Sequence, residues 1–134
     1  MPQTILIVDD ALDWRDILAG LIGDVFPEIG VVTAASLAEA KTLLPKYDFA
    51  LAIIDIRLDE SDENNIDGLT LAEFIRDHSP QTKPLIITGY ANLETVKRAM
   101  QPDENGVRLV VDYVEKEKLN EELLPQITAI LRKR

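Results

Sequence analysis

Hydrophobic positions along the chain follow two alternating spacings. Thr4–Val8 is a short run rich in β-branched side chains, the composition of a buried strand. Trp14, Ile17, Leu18, Leu21, Ile22 and Val25 then recur at helical spacing and form one apolar stripe, closed by Pro27. A second short strand is predicted around Val31–Ala34. Ser36 followed by Glu39 has the spacing of a capping box, which predicts a helix running to about Leu44, before Pro45. Phe49–Ile54, within "FALAIID", is almost continuously apolar, the pattern of a central parallel strand covered on both faces.

The second half repeats the alternation. Asp67-Gly68 opens a helix carrying Leu69, Ala72 and Ile75, and "PLIIT" reads as a fourth strand. Asn92 is the expected cap of a helix reaching about Met100 and stopped by Pro102. "VRLVVDYV" predicts a fifth strand, and Leu123, Ile127, Ile130 and Leu131 mark the last helix. Pro125 lies awkwardly for a helix beginning at Asn120, so that helix is expected to start late or irregularly. Five βα units imply an α/β protein with a doubly wound parallel sheet and helices on both faces. Such a sheet carries its site at the carboxyl ends of its strands.

Composition narrows the function classes. At 134 residues the chain reads as one domain, residues 1–134, long enough to bury a core. Its formal net charge of -10 argues against direct nucleic-acid binding, which needs a basic face; Arg132-Lys133-Arg134 is too short to supply one. There is no cysteine, so disulfide and thiolate chemistry are excluded. No apolar run approaches a membrane span, and Met1 leads into a strand without a signal-peptide pattern. A cytoplasmic location with no membrane partner is therefore expected.

The candidate chemistry stands at the predicted strand ends. The first strand ends at Asp9 and Asp10, the third at Asp55, and the fourth at Thr88, followed by Gly89. The fifth ends near Tyr113, with Lys116 three residues on. Taken singly, these residues read as helix caps, solvated acids, a strand-favouring Thr and a surface Lys. Taken together, three carboxylates, a hydroxyl and an ammonium arrive on one edge. Three carboxylates at contact distance require a cation, and oxygen ligands without His or Cys favour Mg²⁺. One carboxylate is then able to act as a nucleophile toward a phosphoryl group, with the ammonium and hydroxyl taking the remaining phosphate oxygens.

These residues resemble the response-regulator receiver domains of two-component signalling. The resemblance spans nearly the whole chain and rests on "VDD" at 8–10, "AIIDIRL" at 52–58, "DG" at 67–68, "IITGY" at 86–90 and "DYVEK" at 112–116. It implies a flavodoxin-like sheet in the order 2-1-3-4-5 and a phosphorylation-operated switch. Asp55 would be the phosphoacceptor. Asp10 would bind Mg²⁺ directly, with Asp9 assisting, and Asp55 and the backbone carbonyl of Arg57 would complete the metal set. Lys116 and Thr88 would contact the phosphate, and Thr88 with Tyr113 would form the switch. The implied partners are a histidine kinase or phosphotransfer protein and an unknown output domain or protein, with a phosphorylation-linked dimer possible. Beyond its own phosphoryl transfer and slow self-dephosphorylation, the chain is not expected to be an enzyme.

The chain also departs from that family's pattern. Asp59 stands where the family has a Pro, and Gly68 arrives late, after a segment with five acids between Asp59 and Asp67. A solvated loop is the ordinary reading of that segment, and a partner-binding or access-restricting loop the sharper one. An EF-hand fails, because its closing Glu would have to be Phe74. Glu117 follows Lys116 where the family has a Pro on a cis bond. A non-proline cis bond costs roughly 2.5–4 kcal/mol, so a trans bond and an altered turn are expected. His78, before Ser79-Pro80, reads as a surface residue, and Trp14 as core rather than a binding platform. Arg57 and Tyr90 are large residues placed to screen an acyl phosphate from water, which predicts slow decay.

Two rival functions stay open at this point: a receiver-like interaction module that no longer cycles phosphate, and a small phosphatase with an Asp nucleophile. The latter lacks a general acid two residues beyond Asp55, where Arg57 stands. With no effector domain after Arg134, the chain is expected to be a single-domain regulator or an excised receiver.

Overall fold

The computed structural model describes residues 3–59, 65–89 and 93–132. Strand β1 (Thr4–Val8) leads to helix α1 (Leu12–Val25), β2 (Gly30–Ala34) to α2 (Leu37–Leu43), and β3 (Phe49–Asp55) to α3 (Asp67–His78). Strand β4 (Lys83–Thr88) leads to α4 (Leu93–Ala99), and β5 (Asp112–Glu115) to α5 (Leu119–Arg132). All pairings are parallel, in the order β2-β1-β3-β4-β5.

Successive side chains on a strand point to opposite faces, and this splits the interior into two layers. Ile5, Ile7, Leu51, Ile53, Leu85 and Ile87 face Leu18 and Ile22 of α1 and Leu119, Leu123 and Ile127 of α5. Leu6, Val8, Ala52, Ile54 and Ile86 face Ala40 of α2, Leu71, Ala72 and Ile75 of α3, and Val96 of α4. Every residue of β3 is buried, as its apolar run predicts for the middle strand.

Three boundaries differ from the sequence pattern. Strand β5 covers only Asp112–Glu115, although the apolar run begins at Val107. Leu85 pairs with Asp112, so residues 107–109 would lie beside 80–82, upstream of where β4 begins, and find no ladder there. Helix α2 ends at Leu43, but Pro45 does not stop the chain's turn; it sits inside a 3₁₀ turn, Leu44–Lys46, whose first positions need no proline N–H. Helix α5 does not start late. A 3₁₀ turn at Lys116–Lys118 runs into it, and Pro125 is accommodated in its interior on an exposed position.

Local signals elsewhere act as expected. Ser36 Oγ accepts the Glu39 N–H at 3.1 Å, and Glu39 Oε1 reaches back to the Ala35 N–H at 2.9 Å. His78 is exposed, stacks on Phe74 at 4.2 Å and is 3.1 Å from its carbonyl. Asn92 and Tyr90 lie outside the described residues, as does most of the acidic segment after Asp59. No helix among the described residues is long and apolar enough to cross a membrane.

Candidate functional site

Register, more than any single motif, assembles the site. Val8 pairs with Ile54, so Asp9 comes level with Asp55 one step beyond. Asp55 pairs with Ile87, which puts Thr88 just past it, and Thr88 pairs with Glu115, which delivers Lys116 to the same edge. Strand β5 therefore ends two residues later than its sequence pattern indicates, and Lys116 follows the ladder directly.

Asp9, Asp10 and Asp55 each offer a carboxylate oxygen, all within 4.8 Å of one another. Asp9 and Asp55 are buried, and Asp10 is half-buried. Asp9 does not cap α1: its Oδ1 accepts the N–H of Ala11 at 2.9 Å, one residue before the helix, and Ala11 is the N-cap residue. Arg15 donates to the Asp9 carbonyl at 2.7 Å and braces the turn between β1 and α1. The other oxygen of Asp9, Oδ2, is buried and makes no hydrogen bond among the described residues; its nearest cation is Lys116 Nζ at 3.6 Å. Burial pushes the Asp9 carboxyl up to about 6, and repulsion from Asp55 and Asp10 adds to this against the pull of the Ala11 N–H and Lys116.

The donor set fits a hard divalent cation. It is made of carboxylate oxygens alone, and one of them is a buried oxygen whose hydrogen-bonding capacity is unused. Mg²⁺ would be held by Asp9, Asp10 and Asp55.

Lys116 Nζ lies 2.9 Å from Asp55 Oδ2, a paired contact at the centre of the site. The Lys116–Glu117 bond is trans, and the lysine opens the 3₁₀ turn that leads into α5. Its ammonium also stands over the Trp14 ring, 4.8 Å from the centroid. Trp14 is half-buried against the α1–α5 core and at the same time forms one wall of the lysine's seat. The apolar stripe of α1 identifies Trp14 as inward-facing, but only the packing of α1 onto the sheet, in the same layer as α5, brings it to Lys116.

Thr88 is fully buried, with its hydroxyl donating to the Gly89 carbonyl at 2.8 Å. Tyr113 is half-buried on β5 beside Ile86 and packs against the α2–α4 core. The four charged groups converge, while the hydroxyl is at the same edge but engaged with its own backbone.

The loop after Asp55 is held by Gly68 and by Asn65, to which the sequence assigned no role. Gly68 donates to the Ile56 carbonyl at 2.9 Å, and Asn65 Oδ1 accepts the N–H groups of Leu58 and Asp67, each at 3.0 Å. The "DG" pair signalled Gly68 as a motif, but nothing in the sequence ties Asn65 to Leu58.

Comparison with known proteins agrees with this geometry. The family described as Response regulator receiver domain matches residues 5–128. Over 99 residues, 74% of this chain, the sequence is 33% identical to the response regulator protein PilR of Pseudomonas aeruginosa. A putative NtrX-like response regulator of Rickettsia bellii is 31% identical over 120 residues, 90% of this chain. The chain spans only 21% and 23% of those two relatives. The crystal structure of the receiver domain of NtrX from Brucella abortus superposes with a TM-score of 0.80 at 26% identity, covering 97% of this chain and 99% of that one. The chain belongs to the response regulator receiver domain family, whose members are phosphorylation-dependent signalling switches.

Proposed function

We propose that Asp55 is the residue that accepts the phosphoryl group, in an Mg²⁺-dependent transfer from a phosphohistidine on a kinase or phosphotransfer protein. The observation that carries this reading is the Asp55 carboxylate, 4% exposed, facing Lys116 at 2.9 Å with Asp9 and Asp10 alongside. The carboxylate attacks phosphorus, the P–N bond of the donor breaks, and the imidazole leaves with the bonding pair. Lys116 is positioned to stabilise charge on the phosphoryl oxygens and to remain paired with the product. Asp9, Asp10, Asp55 and the carbonyl of Arg57 hold the metal. Bound there, Mg²⁺ supplies positive charge that offsets repulsion between the carboxylates and the incoming dianion.

Thr88 and Tyr113 form the output end of the same device. A phosphoryl oxygen competes with the Gly89 carbonyl for the Thr88 hydroxyl. Moving that hydroxyl opens space behind β4 for the Tyr113 ring, and the surface of α4, β5 and α5 is read by an output domain or protein. Such a switch requires two arrangements separated by only a few kcal/mol. The large Arg57 side chain, two residues beyond Asp55, slows loss of the acyl phosphate by hindering water.

Incubation with Mg²⁺ and a small acyl phosphate, followed by intact mass, tests the assignment. Wild type should gain one phosphoryl group that is lost on hydroxylamine treatment, and Asp55→Asn should gain none. Undiminished labelling of that variant would overturn the acceptor. No labelling of wild type by small donors or by a phosphorylated kinase would favour an interaction module that does not cycle phosphate.

A further inference from the structure

Each N–H in the turn that follows Asp55 has a different partner. Ile56 donates to the Ile87 carbonyl of β4 at 3.2 Å and accepts from Gly68 of α3 at 2.9 Å. The Arg57 N–H points back to Asp55 Oδ1 at 3.3 Å. The Leu58 N–H is taken by the side-chain oxygen of Asn65 at 3.0 Å, and that same oxygen takes the Asp67 N–H at 3.0 Å. Asn65 thus joins the acceptor loop to the start of α3 across the acidic segment. The late arrival of Gly68 leaves the turn closed.

The Arg57 carbonyl and the Leu58 N–H belong to one planar trans peptide, so they point in opposite directions. Holding the N–H in one direction aims the carbonyl in the other. Asn65 is half-buried, and its amide oxygen uses both lone pairs on backbone donors.

We infer that Asn65 is a positioning residue for the metal site: by clasping the Leu58 N–H it orients the Arg57 carbonyl and so sets the affinity for Mg²⁺. This rests on the proposed reading of Asp9, Asp10, Asp55 and the Arg57 carbonyl as the metal ligands. Side chains that orient a ligand from behind commonly change metal affinity by 10- to 100-fold when removed. Asn65 touches neither phosphate nor metal in this scheme, so its effect is on binding before any transfer.

The test is calorimetric titration of the unphosphorylated protein with Mg²⁺, alongside amide hydrogen exchange at Leu58. Asn65→Ala should weaken Mg²⁺ binding about tenfold and speed Leu58 exchange. Asn65→Asp keeps an acceptor oxygen and should restore slow exchange at Leu58 and an affinity no weaker than wild type. Thermal unfolding in chelator separates a structural effect, because a residue that only supports the fold lowers stability in both titrated and metal-free protein and leaves affinity unchanged. Asp10→Ala is the reference. If it abolishes Mg²⁺ binding while Asn65→Ala leaves affinity at the wild-type value, the role assigned to Asn65 is wrong and the metal site stands. If Asp10→Ala binds Mg²⁺ normally, the metal reading itself fails and this inference fails with it.

Discussion

At the scale of single residues, the site is a balance between carboxylates that repel and a lysine that holds them. Burial and the neighbouring carboxylates strain Asp9. Its acid form is favoured in the folded protein up to about 6, against an ordinary value of 3.8. Between those values the folded chain binds more protons than the unfolded chain, so stability falls as pH rises through the window. Near neutral pH, ionised Asp9 costs the metal-free protein on the order of 1–3 kcal/mol. Asp9→Asn should therefore raise the unfolding midpoint of metal-free protein near neutral pH, with the gain vanishing below about pH 4. An identical gain at both pH values would mean that Asp9 is not the strained group. Trp14 makes a separate prediction. Trp14→Leu keeps an apolar side chain on the α1–α5 core but removes the ring face under Lys116. A contact of this kind contributes about 0.5–2 kcal/mol, so labelling by a small acyl phosphate should slow several-fold while Trp14→Phe stays near wild type. Equal rates in all three proteins, measured with urea midpoints as a control, would show that the ring does not help seat the lysine.

At the scale of elements, the site depends on how closely α3 approaches the end of β3. A β-carbon on Gly68 would press on the Asp55 carbonyl oxygen and lie 2.6 Å from Ile56 Cα and 2.9 Å from Ile56 O. All three are backbone atoms at the end of β3, pinned by backbone hydrogen bonds, so none can yield cheaply. Alanine normally favours a helix over glycine by about 1 kcal/mol, and here overpacking of about 1–3 kcal/mol or more opposes it. Gly68→Ala should lower stability and also weaken Mg²⁺ binding, because α3 and the turn after Asp55 must separate. A thermal midpoint at or above wild type would show that the approach is looser than the backbone indicates. The shortened β5 follows the same logic of partners: an apolar run becomes strand only where its neighbour offers a ladder.

At the scale of the whole molecule, a net charge of -10 includes three carboxylates gathered at one sheet edge. Self-repulsion of that kind destabilises the compact state and is relieved by any salt. Specific binding is distinguishable because it acts on the folded chain alone. At a free Mg²⁺ concentration a hundred times its dissociation constant, linkage contributes about 2.7 kcal/mol. Thermal midpoints should rise with Mg²⁺ beyond the rise in NaCl of matched ionic strength, and Asp10→Ala should abolish that excess. An excess that survives in the variant would place the bound cation elsewhere.

The chain's own periodicities carry the element order, the parallel sheet with helices on both faces, and the strand ends where Asp9, Asp10, Asp55, Thr88 and Lys116 stand. They do so because the alternation of strand and helix reports which faces must be buried, and a doubly wound sheet has one functional edge. The resemblance at "VDD", "AIIDIRL" and "DYVEK" carried the strand order and the roles proposed for these residues. Tertiary structure alone decided the rest. It set the register that levels Asp9 with Asp55, the length of β5, the helix packing that puts Trp14 under Lys116, and the clasp of Asn65 on Leu58. Each is a contact between segments far apart in sequence or joined across an irregular loop. Local propensity has no period or spacing that encodes such a contact; only packing the two layers onto the sheet brings the partners together.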